Sequence, residues 1–105
     1  MKKFEVAFRP LAETDLFTLY RYIAEDAGHD VASVYIDRIE AACLALPNFP
    51  ERGTQRDDIL PGLRTMGFER RVTIVFQVRK SDVVIVRIFY GGQDYESALL
   101  GKREA

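Results

Sequence analysis

Hydrophobic residues in this chain change their spacing at Pro10 and change it back after Gly62, which divides it into a strand, a helical pair and a sheet. From Lys3 to Arg9, Phe4, Val6 and Phe8 fall on one side with Lys3, Glu5 and Arg9 flanking them. A period of two puts alternate side chains on one buried face of a strand. Pro10 ends that run and suits a first helical turn, where its missing N–H is no loss. Ala12, Leu16, Leu19, Tyr20, Ile23 and Ala27 then recur at spacings of three and four, the stripe of an amphipathic helix. Gly28 stands where a helix C-terminus favours a left-handed residue. Asp30 is expected to cap a second helix, with Ala32, Tyr35, Ile39, Ala42, Cys43 and Leu46 as its stripe and Pro47 as its stop. Few residues separate the two stripes, so the helices are expected to form an antiparallel hairpin.

Pro47, Pro50, Gly53, Pro61 and Gly62 punctuate the polar connector that follows, and connectors of this length in compact domains are often functional. Phe49, Ile59 and Leu60 are expected to anchor it to the core. Period two then returns. Leu63 to Phe68 is a short strand, and Arg71 to Arg79 carries Val72, Ile74, Phe76 and Val78 on one face. Arg79-Lys80-Ser81-Asp82 reads as a hairpin turn into a last strand, Val83 to Tyr90. Val83, Val84, Ile85 and Val86 are apolar in succession, which predicts a central strand covered on both faces. Gly91-Gly92 ends it, and Asp94 to Leu100 is expected to add one or two helical turns. Nothing marks an internal boundary or repeat, so residues 1–105 read as one α+β domain. Its N-terminal strand and helical hairpin pack on a largely antiparallel sheet, with a short C-terminal helix.

A chain of 105 residues, 48% of them hydrophobic, is large enough to bury one core. Its net charge of −1 excludes coating nucleic acid by bulk charge, though not a local basic face. The lone Cys43 has no internal disulfide partner and falls on a core stripe, where an inert small hydrophobe is expected. No apolar run approaches the roughly 20 residues that span a bilayer, and no signal-peptide block follows the basic N-terminus, so a cytoplasmic protein is expected. His29 falls in the turn between the helices, the usual place of a solvated polar residue. Asp57-Asp58 has no third ligand nearby and is expected to be solvated or to cap Ile59 and its neighbours. Gly91-Gly92 is followed by Gln93-Asp94, not by the Lys-Ser/Thr of a phosphate loop. Neither cofactor nor metal is expected.

Arginine stands out. Eleven of the 15 basic residues are Arg, and Arg52, Arg56, Arg64, Arg70, Arg71 and Arg79 cluster between the connector and the first sheet hairpin. The guanidinium suits fixed, bidentate recognition of carboxylate or phosphate. Arg87 lies inside an apolar strand, so it must be paired, with Glu5 or Asp94 as expected partners, or open into a cleft. Apolar residues are also in surplus. Phe17, Val31 and Val34 fall off the helix stripes, and Phe89 and Tyr95 crowd the sheet end. Such residues mark either a partner groove or ordinary exposure.

The run from Phe49 to Val78, FPERGTQRDDILPGLRTMGFERRVTIVFQV, resembles the ParE branch of the RelE/ParE toxin superfamily. So does RIFYGGQDYE, Arg87 to Glu96, and the helix text from Asp15 to Gly28 matches in character. Asp57 to Arg64 is the most specific part. The resemblance implies the toxin of a type II toxin–antitoxin module, silenced by an antitoxin with a ribbon-helix-helix DNA-binding part and a flexible C-terminal part. Sequence-specific DNA binding then belongs to the antitoxin, not to this chain. Candidate antitoxin contacts are Phe17, Val31, Val34, Arg56, Arg64, Arg71, Arg87 and Tyr90. ParE-like members poison DNA gyrase by binding, which needs no catalytic residue. RelE-like members cleave ribosome-bound mRNA, a reaction that needs an acid, a base and phosphate-binding cations. Phe89-Tyr90-Gly91-Gly92-Gln93 lacks the basic or histidine residues of that group, although Arg64, Arg71, Arg87 and Tyr90 imitate part of such a site. The resemblance therefore favours gyrase inhibition over ribonuclease activity, with a non-toxic binding module of the same fold as the third reading.

Overall fold

A computed structural model describes residues 5–91 together with 98 and 99. The elements are β1 (Glu5–Phe8), α1 (Pro10–Ala27), α2 (His29–Leu44), a 3-10 turn (Leu46–Asn48), β2 (Thr54–Gln55), β3 (Leu63–Phe68), β4 (Val72–Val78) and β5 (Asp82–Tyr90). The five strands form one mixed sheet in the order β1-β5-β4-β3-β2. Only β1 and β5 run parallel, and the other neighbours are antiparallel. The parallel pair follows from the helical hairpin inserted after β1, since parallel strands need a long crossover.

Asp30 is not the cap of α2. Gly28 sits at φ 98° and serves as both the last residue after α1 and the first before α2, whose N-terminus has no side-chain cap. One left-handed residue therefore makes the whole helix–helix turn. Tyr20 and His29 brace it, with rings stacked 5.9 Å apart and the hydroxyl 3.0 Å from Nδ1.

The helix-facing core joins Ala12, Leu16 and Leu19 of α1 and Ile39 and Cys43 of α2 to Ile74, Phe76, Val83, Ile85 and Ile88 of the sheet. Leu63, Val75 and Phe89 form a smaller cluster on the opposite face, against Ile59, Val86 and Leu99. β5 is thus covered on both sides, as its unbroken apolar run predicts. The connector is anchored differently from expectation. Ile59 packs on the second cluster, whereas Phe49 is 62% and Leu60 42% exposed. Phe49 instead lies under the Arg52 guanidinium, 5.8 Å from its ring centre. Two connector residues, Thr54 and Gln55, pair with Arg64 and Thr65 as the edge strand β2. Gly53 is required there, because a Cβ on it would meet the Thr65 carbonyl oxygen at 2.2 Å. Apart from Ala98 and Leu99, which are helical, the helical turns expected from Asp94 to Leu100 lie outside the described residues, as does Tyr95.

Candidate functional site

The β4–β5 register slips between Val75, opposite Arg87, and Phe76, opposite Ile85, leaving Val86 as an extra residue. This bulge moves the helix-facing set of β5 from Val83 and Ile85 to Ile88 and Tyr90. Arg87 consequently lies over the Phe89 ring, 4.7 Å from its centre, and its guanidinium reaches α1. Its partner is Asp15, not Glu5, and Asp94, the other expected partner, lies outside the described residues. Nε and Nη2 of Arg87 donate to the Asp15 carboxylate at 2.8 and 3.0 Å, and the Ile88 backbone N–H donates to it at 2.8 Å. β1 stops at Phe8, opposite Ile85, so Asp15 supplies the acceptor that a continuing strand would have offered β5. The Asp15 hydrogen bonds also raise the guanidinium's already high pKa. Arg87 is spent on the fold.

Arg64 and Arg56 are also engaged locally. Nη1 of Arg64 donates to the carbonyls of Glu51 and Arg52, pinning the connector against β3. Arg56 forms a bidentate pair with Asp58 at 3.0 and 2.8 Å, which holds that carboxyl below the usual carboxylate range. Asp57 accepts from the Gly62 N–H at 2.9 Å, so the Asp57-Asp58 pair staples the connector.

A groove opens where the helical hairpin meets the other end of the sheet. Its main depression, about 380 Å³, is walled by Tyr22, Val31, Tyr35 and Tyr90 with Asp26, Glu69 and Arg71 at its edges. It continues along α2 over Val31, Val34, Tyr35 and Arg38, and towards Asp15 past Thr18 and Leu19. The α2 residues follow the i, i+3, i+4, i+7 rule of one helix face. Four residues singled out in the sequence, Val31, Val34, Arg71 and Tyr90, therefore converge on one surface. Val31 and Val34 are 52% and 58% exposed. Phe17 is 62% exposed but points about 140° round α1 from Tyr22, at 3.6 residues per turn.

Sequence reasoning missed Tyr22, Asp26, Arg38 and Glu69, and took Tyr35 for core. Tyr35 is half-buried and meets Phe68 edge-on at 6.2 Å, while Tyr22 and Tyr90 lie 5.8 Å apart. Burial, with Tyr90 adding to it, pushes the Tyr35 phenol above its ordinary value. At neutral pH it is a hydrogen-bond donor.

Arg71 is presented by the β3–β4 turn, where Glu69 and Arg70 adopt φ 51° and 68°. The Arg71 N–H donates to the Phe68 carbonyl, closing a two-residue turn of the type that favours Asn-Gly. Non-glycine residues in left-handed backbone cost about 1–2 kcal/mol each, and such strain gathers at functional sites. Glu69 pairs with Arg38 and so ties this turn to α2. No carboxylate pairs with Arg71 among the described residues. The buried Cys43 thiol is pushed up to about 12 and is no nucleophile. His29 remains at the helix turn, and no metal-ligand cluster occurs among the described residues. No helix among those residues is long and apolar enough to cross a membrane.

The fold is shared with known proteins. It is similar to a solved structure of a chromosomal ParDE TA system from P. aeruginosa, with TM-score 0.73 and 23% identity, covering 85% of this chain and 97% of that one. It is also similar to a chain of the toxin–antitoxin complex RelBE2 from Mycobacterium tuberculosis, with TM-score 0.62 and 18% identity, covering 89% and 97%. The sequence is 37% identical over 89 residues to Toxin ParE3 of Caulobacter vibrioides, covering 85% of this chain and 87% of that protein. A family model described as the ParE toxin of the type II toxin–antitoxin system, parDE, matches residues 6–95. The chain therefore belongs to the ParE family of type II toxin–antitoxin toxins.

Proposed function

We propose that the protein acts by binding, as a toxin that inhibits DNA gyrase and is neutralised by an antitoxin seated in the Tyr22–Tyr35–Tyr90 groove. The observation that carries this reading is the groove's chemistry. It offers exposed apolar side chains, tyrosine hydroxyls and the exposed Arg71, but no histidine or lysine among its described residues. Cleavage of RNA needs a proton acceptor and a proton donor placed around one phosphate. The protonated Tyr35 supplies only the second, and of the two carboxylates at the groove's edges Glu69 is already paired with Arg38, which leaves Asp26 as the acceptor that such a reaction would have to use. The exposed i, i+3, i+4, i+7 face of α2 suits an amphipathic segment laid into the groove, with Arg71 taking one of its carboxylates. The resemblance to the ParE branch supplies the antitoxin's ribbon-helix-helix part and the gyrase target.

The test is to assay the purified chain against gyrase and against translating ribosomes. Loss of supercoiling or accumulation of cleaved DNA, reversed by the antitoxin, is the expected result. Codon-specific cuts in ribosome-bound mRNA with gyrase unaffected would transfer the protein to the ribonuclease reading.

A further inference from the structure

The Arg38–Glu69 pair occupies an unusual place. It joins the exposed face of α2 to the β3–β4 turn, on the saddle between the groove's main depression and its continuation along α2. Both depressions share Val31 and Tyr35, so a segment running through the groove must pass beside this pair. The pair remains open to water, with side chains 54% and 34% exposed, and an exposed ion pair exchanges partners readily. Glu69 also stands at φ 51° in a turn whose geometry favours glycine or asparagine. A carboxylate is therefore held against Arg38 by a residue type that the backbone there disfavours.

We infer that Glu69 is an internal competitor, holding Arg38 in the free protein until a carboxylate of the docking segment takes its place. This deepens the antitoxin reading and rests on it for the identity of the segment. Arg71 is available to any acidic side chain, whereas Arg38 is available only to one positioned to displace Glu69. The partner is thereby selected for two carboxylates spaced to reach both arginines, and segments with one are held less tightly. Release of Glu69 also removes one tie between the β3–β4 turn and α2, leaving the Tyr35–Phe68 ring contact as the other.

The test uses the full chain in two arms. In the first, antitoxin affinity is measured for the wild type, Glu69→Ala, Arg38→Ala and the double variant. Glu69→Ala is expected to tighten binding about threefold to tenfold and to have no effect once Arg38 is alanine. An unchanged or weaker affinity for Glu69→Ala, or an equal gain in the Arg38→Ala background, overturns the inference. The second arm needs no antitoxin. A hexaglutamate peptide should shift the Arg38 side-chain NMR signal at lower concentration in Glu69→Ala than in the wild type, and equal titrations would overturn the inference. Glu69→Gln keeps the side-chain length and removes the charge, so it must reproduce the alanine result if charge competition is the cause. Failure of the antitoxin reading looks different. There Val31→Asp and Arg71→Ala leave antitoxin affinity untouched, while the hexaglutamate titrations still separate the variants.

Discussion

Arg87 and Arg71 lie on adjacent strands of the same sheet, one within β5 and the other just before β4, and they serve opposite ends. Arg87 is held by both carboxylate oxygens of Asp15 and is largely enclosed, whereas Arg71 is exposed on the groove rim with no carboxylate paired to it among the described residues. The bulge at Val86 and the end of β1 at Phe8 leave β5 with an open edge that needs an acceptor, and Asp15 fills it. At Arg71 the backbone is already satisfied, its N–H by Phe68 and its carbonyl by Gly91. At these two positions the arginine is part of the fold where the backbone beside it lacks a strand partner, and is available where the backbone is complete.

Breaking that division should give the largest effect at Asp15. Asp15→Ala removes three hydrogen bonds and leaves the guanidinium of Arg87 partly buried and alone. Losing one member of a buried pair costs about 3–5 kcal/mol, and at 15–22% side-chain exposure the lower end is expected. Urea denaturation measures it. A midpoint equal to the wild type would place Arg87 with Arg71 and dissolve the contrast.

The helix turn and the connector come next. Gly28→Ala forces a side chain into φ 98° and ψ 162°, an essentially glycine-only region where nothing crowds the Cβ, so only the backbone cost of about 1–3 kcal/mol applies. Gly53→Ala adds a collision with the Thr65 carbonyl and should be the worse of the two. Thermal unfolding of both variants separates backbone strain from steric overlap, and the reverse order would place the strain elsewhere.

Cys43 gives a smaller, pH-dependent effect. Burial keeps its thiol protonated up to about 12, so the folded state binds a proton that the unfolded state releases in the ordinary thiol range. Stability from this source is complete below that range and is lost as pH climbs towards 12, at about 1.4 kcal/mol per unit. Comparing the wild type with Cys43→Ala at pH 7 and pH 10 isolates the slope. Parallel losses in the two proteins would show that the thiol is not its origin.

These sites also show which parts of the structure were legible in the sequence. The helices, β1 and β4 followed from period, because each buries one face and repeats at 3.6 or 2 residues, whereas β5 was legible as an unbroken apolar run covered on both faces. The exposed Phe17, Val31 and Val34 were legible as departures from that period. Asp15 was not, because it lies 72 residues from Arg87 and the bulge that lets them meet leaves no periodic trace. β2 was missed because Thr54 and Gln55 carry no apolar pattern and are held by register with β3. Asp30 lost its expected capping role because Gly28 already turns the chain in one residue. Tyr35 sits on the core stripe by spacing, yet at its rim, and only the tertiary fold shows that its ring closes the core while its hydroxyl faces the groove.

Arg71→Ala should have the smallest effect on folding and a large one on recognition. Its side chain is exposed and has no carboxylate partner among the described residues, so its loss should change the stability of the free protein by no more than about 0.5 kcal/mol. The Phe68 and Gly91 backbone contacts of residue 71 survive the substitution, so the turn should keep its shape. Under the proposed function the same change removes a charge-assisted contact to the antitoxin, worth about 1.5–3 kcal/mol, or roughly ten-fold to a hundred-fold in affinity. Arg71→Lys should recover only part of this, because an ammonium cannot make the bidentate contact of a guanidinium. Melting curves of the free protein and titrations with the antitoxin measure the two quantities separately. A large loss of stability with unchanged affinity would make Arg71 a second Arg87, and the groove would then have to hold its partner through Val31, Val34 and the tyrosines alone.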